Sequence, residues 1–270
     1  MKRIKLGMLF AWVLTLLLVG APLHAQEGGT ADMEKSGEQA MAVAKRMAEF
    51  LSKAQSFSVT VDTGFDVVQD SGQKIEFGEI RNIVLRRPDH LRIDETKRNG
   101  VKGGMMFDGK DLVVFNLKAN VYATDARTDK PGTVDEAIAH FINDLDMRLP
   151  LAELVDSNLP KMLEAGVREA AYVEQSQIAG VPCDHIALRG KKADLQLWVA
   201  QGDQPLPCRL VITYTREDGR PQYWAQFSDW NLSPKAPNSL FVFTPPKGAV
   251  KIAFSPRMIQ PVGTGMKEGK

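Results

Sequence analysis

The sequence predicts an α+β protein: one large curled antiparallel sheet of about eleven strands, shaped as a half-open barrel, with an N-terminal helix and a mid-chain helical lid on its concave side. Three observations carry this. An apolar stripe of helical period opens the exported chain, two long stretches of alternating apolar and polar residues follow, and a capped helical pattern near residue 133 separates those stretches. So many consecutive strands twist and curl rather than stay flat. The 270 residues are 44% hydrophobic and 25% charged, which excludes disordered, collagenous and polytopic membrane chains. The 34 Lys and Arg against 33 Asp and Glu give no field of one sign, so nucleic acid is not an expected partner.

The elements follow in order. Lys2, Arg3 and Lys5 precede an apolar run from Leu6 to Val19, broken only by Gly7 and Thr15, and then Gly20, Ala21 and Pro22. That is a secretory signal, about 14 apolar residues long and short of the ~20 that span a bilayer. Cleavage is expected after Ala25, although the large Leu23 at the −3 position allows the site to shift, and an uncleaved anchor is the alternative. The exported chain then carries 31 basic and 33 acidic residues, since Lys2, Arg3 and Lys5 are lost, has no second apolar run of spanning length, and is placed in the periplasm.

Residues 26–32 read as a short linker, 33–253 as a single domain, and 254–270 as a loose tail. From Asp32 the pattern is helical, with Ala40, Ala44, Met47, Leu51 and Ala54 on one face. At Phe57 the period becomes two: Phe57, Val59, Val61, Phe65 and Val67 alternate with polar residues. Ser71-Gly72, Pro88, Asn99-Gly100 and Asp108-Gly109 punctuate a six-strand meander that ends near residue 124. Thr133-Val-Asp-Glu136 is a capping box, and Val134, Ala137, Ile138, Phe141, Ile142 and Leu145 form the apolar stripe behind it. Short helical pieces follow at Leu151–Val155 and Lys161–Ala165, and five more strands run at about 168–178, 183–188, 193–199, 208–215 and 221–230.

Three phrases carry a resemblance: Leu85-Arg-Arg-Pro-Asp-His-Leu-Arg-Ile93, Phe107-Asp-Gly-Lys-Asp-Leu-Val-Val-Phe115 and Ser239-Leu-Phe-Val-Phe-Thr-Pro-Pro246. With this order of elements, the chain resembles the lipoprotein-carrier (LolA and LolB) type of periplasmic fold. Cys183-Asp-His-Ile-Ala-Leu-Arg189, Leu195-Gln-Leu-Trp-Val199 and Pro205-Leu-Pro-Cys-Arg-Leu-Val-Ile-Thr213 are similar to a family of predicted periplasmic proteins of unknown function within that superfamily. The resemblance covers about residues 33–253. It implies a non-catalytic cradle that shields an acyl chain, a lipid or a lipidated partner from water. In such a cradle Val59, Val61, Phe65, Ile83 and Leu85 of the sheet would line an apolar cavity with Ile138, Phe141, Ile142, Leu154 and Met162 of the lid. Met105, Met106 and Met147 would adapt its shape, thioethers being flexible, although a helix packed on a sheet shows the same stripe without any cavity.

No reactive constellation competes. The chain lacks G-x-S-x-G, a P-loop and G-x-G-x-x-G, and His90, His140 and His185 fall in three separate elements, so no catalytic residue, metal or cofactor is expected. Arg86, Arg87 and Arg92, with Asp94 and Glu95, form the densest charge cluster, either a solvated strand end or a rim contact to a headgroup or to the lid. Cys183 and Cys208 invite a disulfide in an oxidising compartment, yet strands separated by a third lie about 9.5 Å apart, beyond the ~7 Å bridging limit, unless the middle strand stops before Val199. The alternative to a lipid binder is an envelope sensor or adaptor that binds another protein through the barrel face or a sheet edge. A monomer is expected in either case.

Overall fold

The computed structural model describes residues 28–126, 132–144 and 150–254; the expected signal peptide and cleavage site, and the tail from 255, lie outside the described residues. Helix α1 (Gly28–Lys53) comes first, then β1 (Ser56–Val68), β2 (Lys74–Arg86), β3 (His90–Lys97), β4 (Lys102–Phe107), β5 (Asp111–Asn116) and β6 (Val121–Ala126). Helices α2 (Val134–Asn143), α3 (Ala152–Val155) and α4 (Leu159–Gly166) interrupt the strands. After them come β7 (Glu169–Ile178), β8 (Val181–Arg189), β9 (Asp194–Ala200), β10 (Pro207–Thr213), β11 (Gln222–Asn231), a 3₁₀ turn at Asn238–Phe241 and β12 (Val250–Lys251). The strands form one sheet in the order β12-β6-β5-β4-β3-β2-β1-β11-β10-β9-β8-β7. Each half is a meander of hairpins, and the halves join where β1 pairs antiparallel with β11, Val61 opposite Phe227.

The core sits on the concave face. Register places Phe57, Val59 and Val61 of β1 opposite Leu85, Ile83 and Arg81 of β2, and Leu85 and Ile83 opposite Leu91 and Ile93 of β3. The same rows continue through Met105 and Phe107 of β4 to Val114 and Leu112 of β5. Period-two alternation thus becomes a continuous apolar floor. Ala40, Ala44, Met47, Ala48 and Leu51 of α1 are buried against it at the β7–β9 side, and Val134, Ala137, Ile138, Leu151, Val155 and Leu159 of the lid helices are buried in the same core.

Helix α1 also guards a sheet edge. Ser36 Oγ accepts from Tyr172 N at 3.0 Å and donates to Tyr172 O at 3.3 Å, so one hydroxyl occupies both outward backbone groups of that edge residue. Gly37 lets the helix approach this closely, since an added Cβ would lie 3.2 Å from Ala170 O. The remainder of the β7 edge is kinked by a bulge between Tyr172 and Glu174.

Among the described residues the sheet has twelve strands, in keeping with the about eleven expected: the addition is β12, which lies beside β6 and runs parallel to it in an otherwise antiparallel sheet. Two residues are too short for a periodic signal. The chain reaches this place as a strap across the convex face. Arg86 donates to Ala236 O and Asn238 Oδ1 at 2.7 Å each, Arg92 donates to Leu240 O at 2.8 Å, and Phe243 stacks 5.0 Å from Phe115. Helical structure also starts earlier than expected, at Gly28 inside the segment read as linker.

Cys183 and Cys208 are free, buried thiols rather than a disulfide. Cys183 faces Ala200 in the β8–β9 ladder, and Cys208 lies in a bulge between Pro207 and Arg209 of β10. Strand β9 runs between them through Ala200, keeping their backbones two strand spacings apart. They pack with Ala200, Ile178 and Trp198 in a small apolar cluster.

Candidate functional site

Between the described lid and floor lies a partly open cavity of about 60 Å³. Its floor is Ile83, Leu91, Ile93, Met105, Phe107 and Leu112, and its roof is Ala137 and Ile138 of α2 with Pro150, Leu151, Ala152 and Val155 around α3. Arg81 is the one charged residue in this lining. The roof stands over the floor because the capping box forms in full: Glu136 N donates to Thr133 Oγ1 at 3.2 Å, and Thr133 N donates to Glu136 Oε2 at 2.8 Å. It starts α2 where Val134 N reaches Pro88 O at the end of the β2–β3 turn.

Arg87 ties this lid to the sheet. Its Nε donates to Ala54 O just beyond α1, Nη2 donates to Val155 O at the end of α3, and Nη1 faces Asp135 in the first turn of α2 at 3.5 Å. A cation near carbonyls at two helix ends is where the helix dipoles favour it. Asp135 is itself held by Ser157, whose N–H donates to Oδ1 at 3.0 Å and whose hydroxyl donates to Oδ2. Burial pulls the Arg87 guanidinium below its ordinary pKa, with Asp135 and then Asp156 opposing. The fastening therefore has a desolvation cost, and it holds three helices through one side chain. Of the three arginines in the dense charge cluster, Arg87 reaches the lid, whereas Arg86 and Arg92 hold the convex strap.

Toward the far end of the floor lies a polar band. Thr63 pairs with Glu79 and Glu79 with Lys97; one row nearer the lid, Val61 pairs with Arg81 and Arg81 with Glu95. Arg81 Nε donates to Glu79 Oε1 at 2.7 Å and Nη2 approaches the same oxygen at 2.5 Å, with side chains 14% and 7% exposed. Burial, and then Glu79, pushes the Glu95 carboxyl up, while Arg81 and Lys97 oppose. Beyond the band the face is open: Phe65 and Phe77 stack at 6.1 Å, with Phe77 46% exposed.

Of the residues expected to line a cavity, Ile83 and Ile138 do so. Val59, Val61 and Leu85 are buried in the adjoining core, and Phe65 is half-buried beyond the polar band. Leu154 of α3 is half-buried, Ile142 at the end of α2 is 36% exposed, and Met162 of the short α4 is 39% exposed. Phe141 lies in α2, but its side chain is outside the described set, as are Leu145 and Met147. Leu91, Ile93, Phe107, Leu112, Ala137, Pro150, Leu151, Ala152 and Val155 line the cavity without having been expected to. Register alone would have found Leu91, Ile93 and Phe107, which continue the rows of Leu85 and Ile83.

His185 stacks on Trp198 at 4.0 Å on the convex side, and His140 bridges Asp125 and Asp144. Among the described residues no three His, Cys, Asp and Glu side chains are arranged to hold a metal, and no helix is long and apolar enough to cross a membrane.

The chain is similar to several solved structures. An uncharacterized conserved protein from Thermus thermophilus is 10% identical with a TM-score of 0.45, over 80% of this chain and 99% of that one. The lipoprotein LppX of Mycobacterium tuberculosis is 15% identical with a TM-score of 0.45, over 72% and 96%. A LolA superfamily protein from Nitrosomonas europaea is 13% identical with a TM-score of 0.36, over 76% and 97%. No curated protein sequence matches. A family model described as "Predicted periplasmic protein (DUF2092)" matches residues 40–255, and the chain thus belongs to the DUF2092 family.

Proposed function

We propose that the protein is a non-catalytic periplasmic binder that holds an acyl chain, a lipid or the lipid anchor of a partner between the sheet and the helical lid. The observation that carries this reading is an apolar cavity roofed by short helices that one arginine, Arg87, fastens to the sheet. At about 60 Å³ the cavity is well below the 300–1,000 Å³ of small-molecule sites, so a ligand enters by lifting the lid. Energetics allow it: withdrawing a sixteen-carbon chain from water is worth on the order of 12 kcal/mol before binding costs, several times the strength of the clamp.

The test is native mass spectrometry of protein purified from a periplasmic extract, followed by denaturation and lipid analysis. A stoichiometric lipid or acylated peptide is expected, and Ile138→Glu, which puts a charge into the roof, should lose it. A bare polypeptide, unchanged after incubation with envelope lipids, would overturn the reading. One observation favours an adaptor instead: among the described residues, Glu174 to Ile178 of the β7 edge, past the bulge, have no neighbouring strand on their outer side, and Val173 in the bulge is 49% exposed. A bare polypeptide that retains an envelope protein would establish that alternative.

A further inference from the structure

The Glu79–Arg81 pair is an expensive way to fill the floor. Glu79 is 6% exposed, and every other sheet residue lining the cavity is apolar. Replacing a buried ion pair by apolar side chains of similar volume is often neutral or stabilising, so packing alone does not account for a charged pair at this one place. The position of Arg81 is specific: it lines the cavity at the boundary where the apolar floor meets the polar band.

The hydrogen bonds of Arg81 are only partly used. Nε and Nη2 both face Oε1 of Glu79, and no described residue accepts from Nη1. A guanidinium at an apolar cavity with donors to spare can take a further acceptor, and a ligand oxygen drawn into that cavity needs a donor to offset its own desolvation. Charge decides which acceptor. Glu79 already neutralises Arg81 through a contact of 2.5 Å, and the neighbouring Glu95 and Lys97 cancel in sign. A second carboxylate would therefore meet donors without any surplus of positive charge to replace the hydration it gives up. A neutral carbonyl would gain the same donors at a far smaller desolvation cost.

We propose that Arg81 is the recognition point for the polar head of the ligand, and that the head it takes is an uncharged acyl carbonyl, an ester or an amide, rather than a free carboxylate. This rests on the acyl-chain reading above and narrows it, since it directs the site to acylated molecules and away from free fatty acids.

The experiment uses three probes with the same fluorophore-tagged sixteen-carbon tail, ending in a carboxylic acid, its methyl ester or a plain methyl group, titrated into the full exported chain at pH 7.5. The ester is expected to bind at least tenfold more tightly than the acid and about fivefold more tightly than the hydrocarbon. Arg81→Met should bring the ester to the level of the hydrocarbon and leave the hydrocarbon within twofold. Because Arg81→Met strands Glu79, the double variant Arg81→Met/Glu79→Met is measured beside it and should give the same pattern. Glu79→Gln should reverse the preference, raising acid binding above that of the ester by releasing the positive charge of Arg81. Acid binding as tight as ester in the wild type, or an ester advantage that persists in the double variant, would overturn the proposal while leaving the cavity in place. Failure of all three probes to bind would overturn the acyl-chain reading with it.

Discussion

Replacing Arg87 by alanine should open the lid without unfolding the sheet. The side chain donates to two backbone carbonyls, at 3.1 Å to Ala54 and 2.8 Å to Val155, and faces Asp135 at a weak 3.5 Å. Hydrogen bonds from a charged donor contribute about 1.5–3 kcal/mol each. The desolvation that lowers the guanidinium pKa takes back part of that, and both carbonyls regain water once the lid lifts, which leaves about 2 kcal/mol, close to thirtyfold in the closing equilibrium. The floor has its own support in the sheet ladders, so the loss should be local. Hydrogen exchange reads this directly: amides of α2 and α3 should exchange about thirtyfold faster, while those of Val59, Val61 and Leu91 keep their protection. Arg87→Lys should resemble alanine, since one ammonium cannot span Ala54 O and Val155 O as the fork does. If lid exchange is unchanged while the urea midpoint falls, Arg87 is an ordinary core contact and the reasoning about opening is wrong.

Thr133→Ala should remove one bond of the capping box, cost about 1 kcal/mol and speed exchange in α2 about fivefold, with little change elsewhere. Gly64→Ala would place a methyl within 2.5 Å of Trp224 Cε2, so the indole must leave its seat; a loss of about 1–3 kcal/mol in urea melts and altered tryptophan fluorescence are expected. Burial pushes the Cys208 thiol up to about 12, and it also raises Cys183. The folded protein therefore holds protons that the unfolded chain has released, so the contribution of these thiols is intact below about pH 9 and fades as pH rises toward 12. Denaturant midpoints measured from pH 8 to 11 should fall faster than those of a Cys183→Ala/Cys208→Ala variant. Both thiols should resist iodoacetamide at pH 8 until urea is added.

Local patterns were legible and cross-sheet relations were not. The reversals before β4 and β5 were expected because Asn99-Gly100 and Asp108-Gly109 fix where chains turn back, and Thr133 with Glu136 announced a helix start that forms both of its bonds. The two-residue β12 pairs with β6 only because a strap crosses the convex face, and no window of sequence contains that relation. The cavity shows the same divide. Ile138 stood out through its helical stripe, whereas Leu91 and Phe107 line the cavity by virtue of register with Leu85. Arg81 was hidden for another reason: it falls in the alternation of Ile83 and Leu85, but only its burial with Glu79 shows that a charge is held on the core face.

The junction of β1 with β11 sets the order in which the molecule can be built. The first strand of the sheet waits for residues 222–231, and Ser36 waits 136 residues for Tyr172, so the centre of the sheet and one of its edges are completed only after nearly all of the chain is available. Loop closure over such separations makes assembly slow, and a chain crossing a membrane N-terminus first would leave one edge of β1 without its partner for the whole of that interval. The β1–β2 hairpin, thirteen residues on each side, is the local structure that can form meanwhile and leaves only the β11-facing edge of β1 exposed to misassembly.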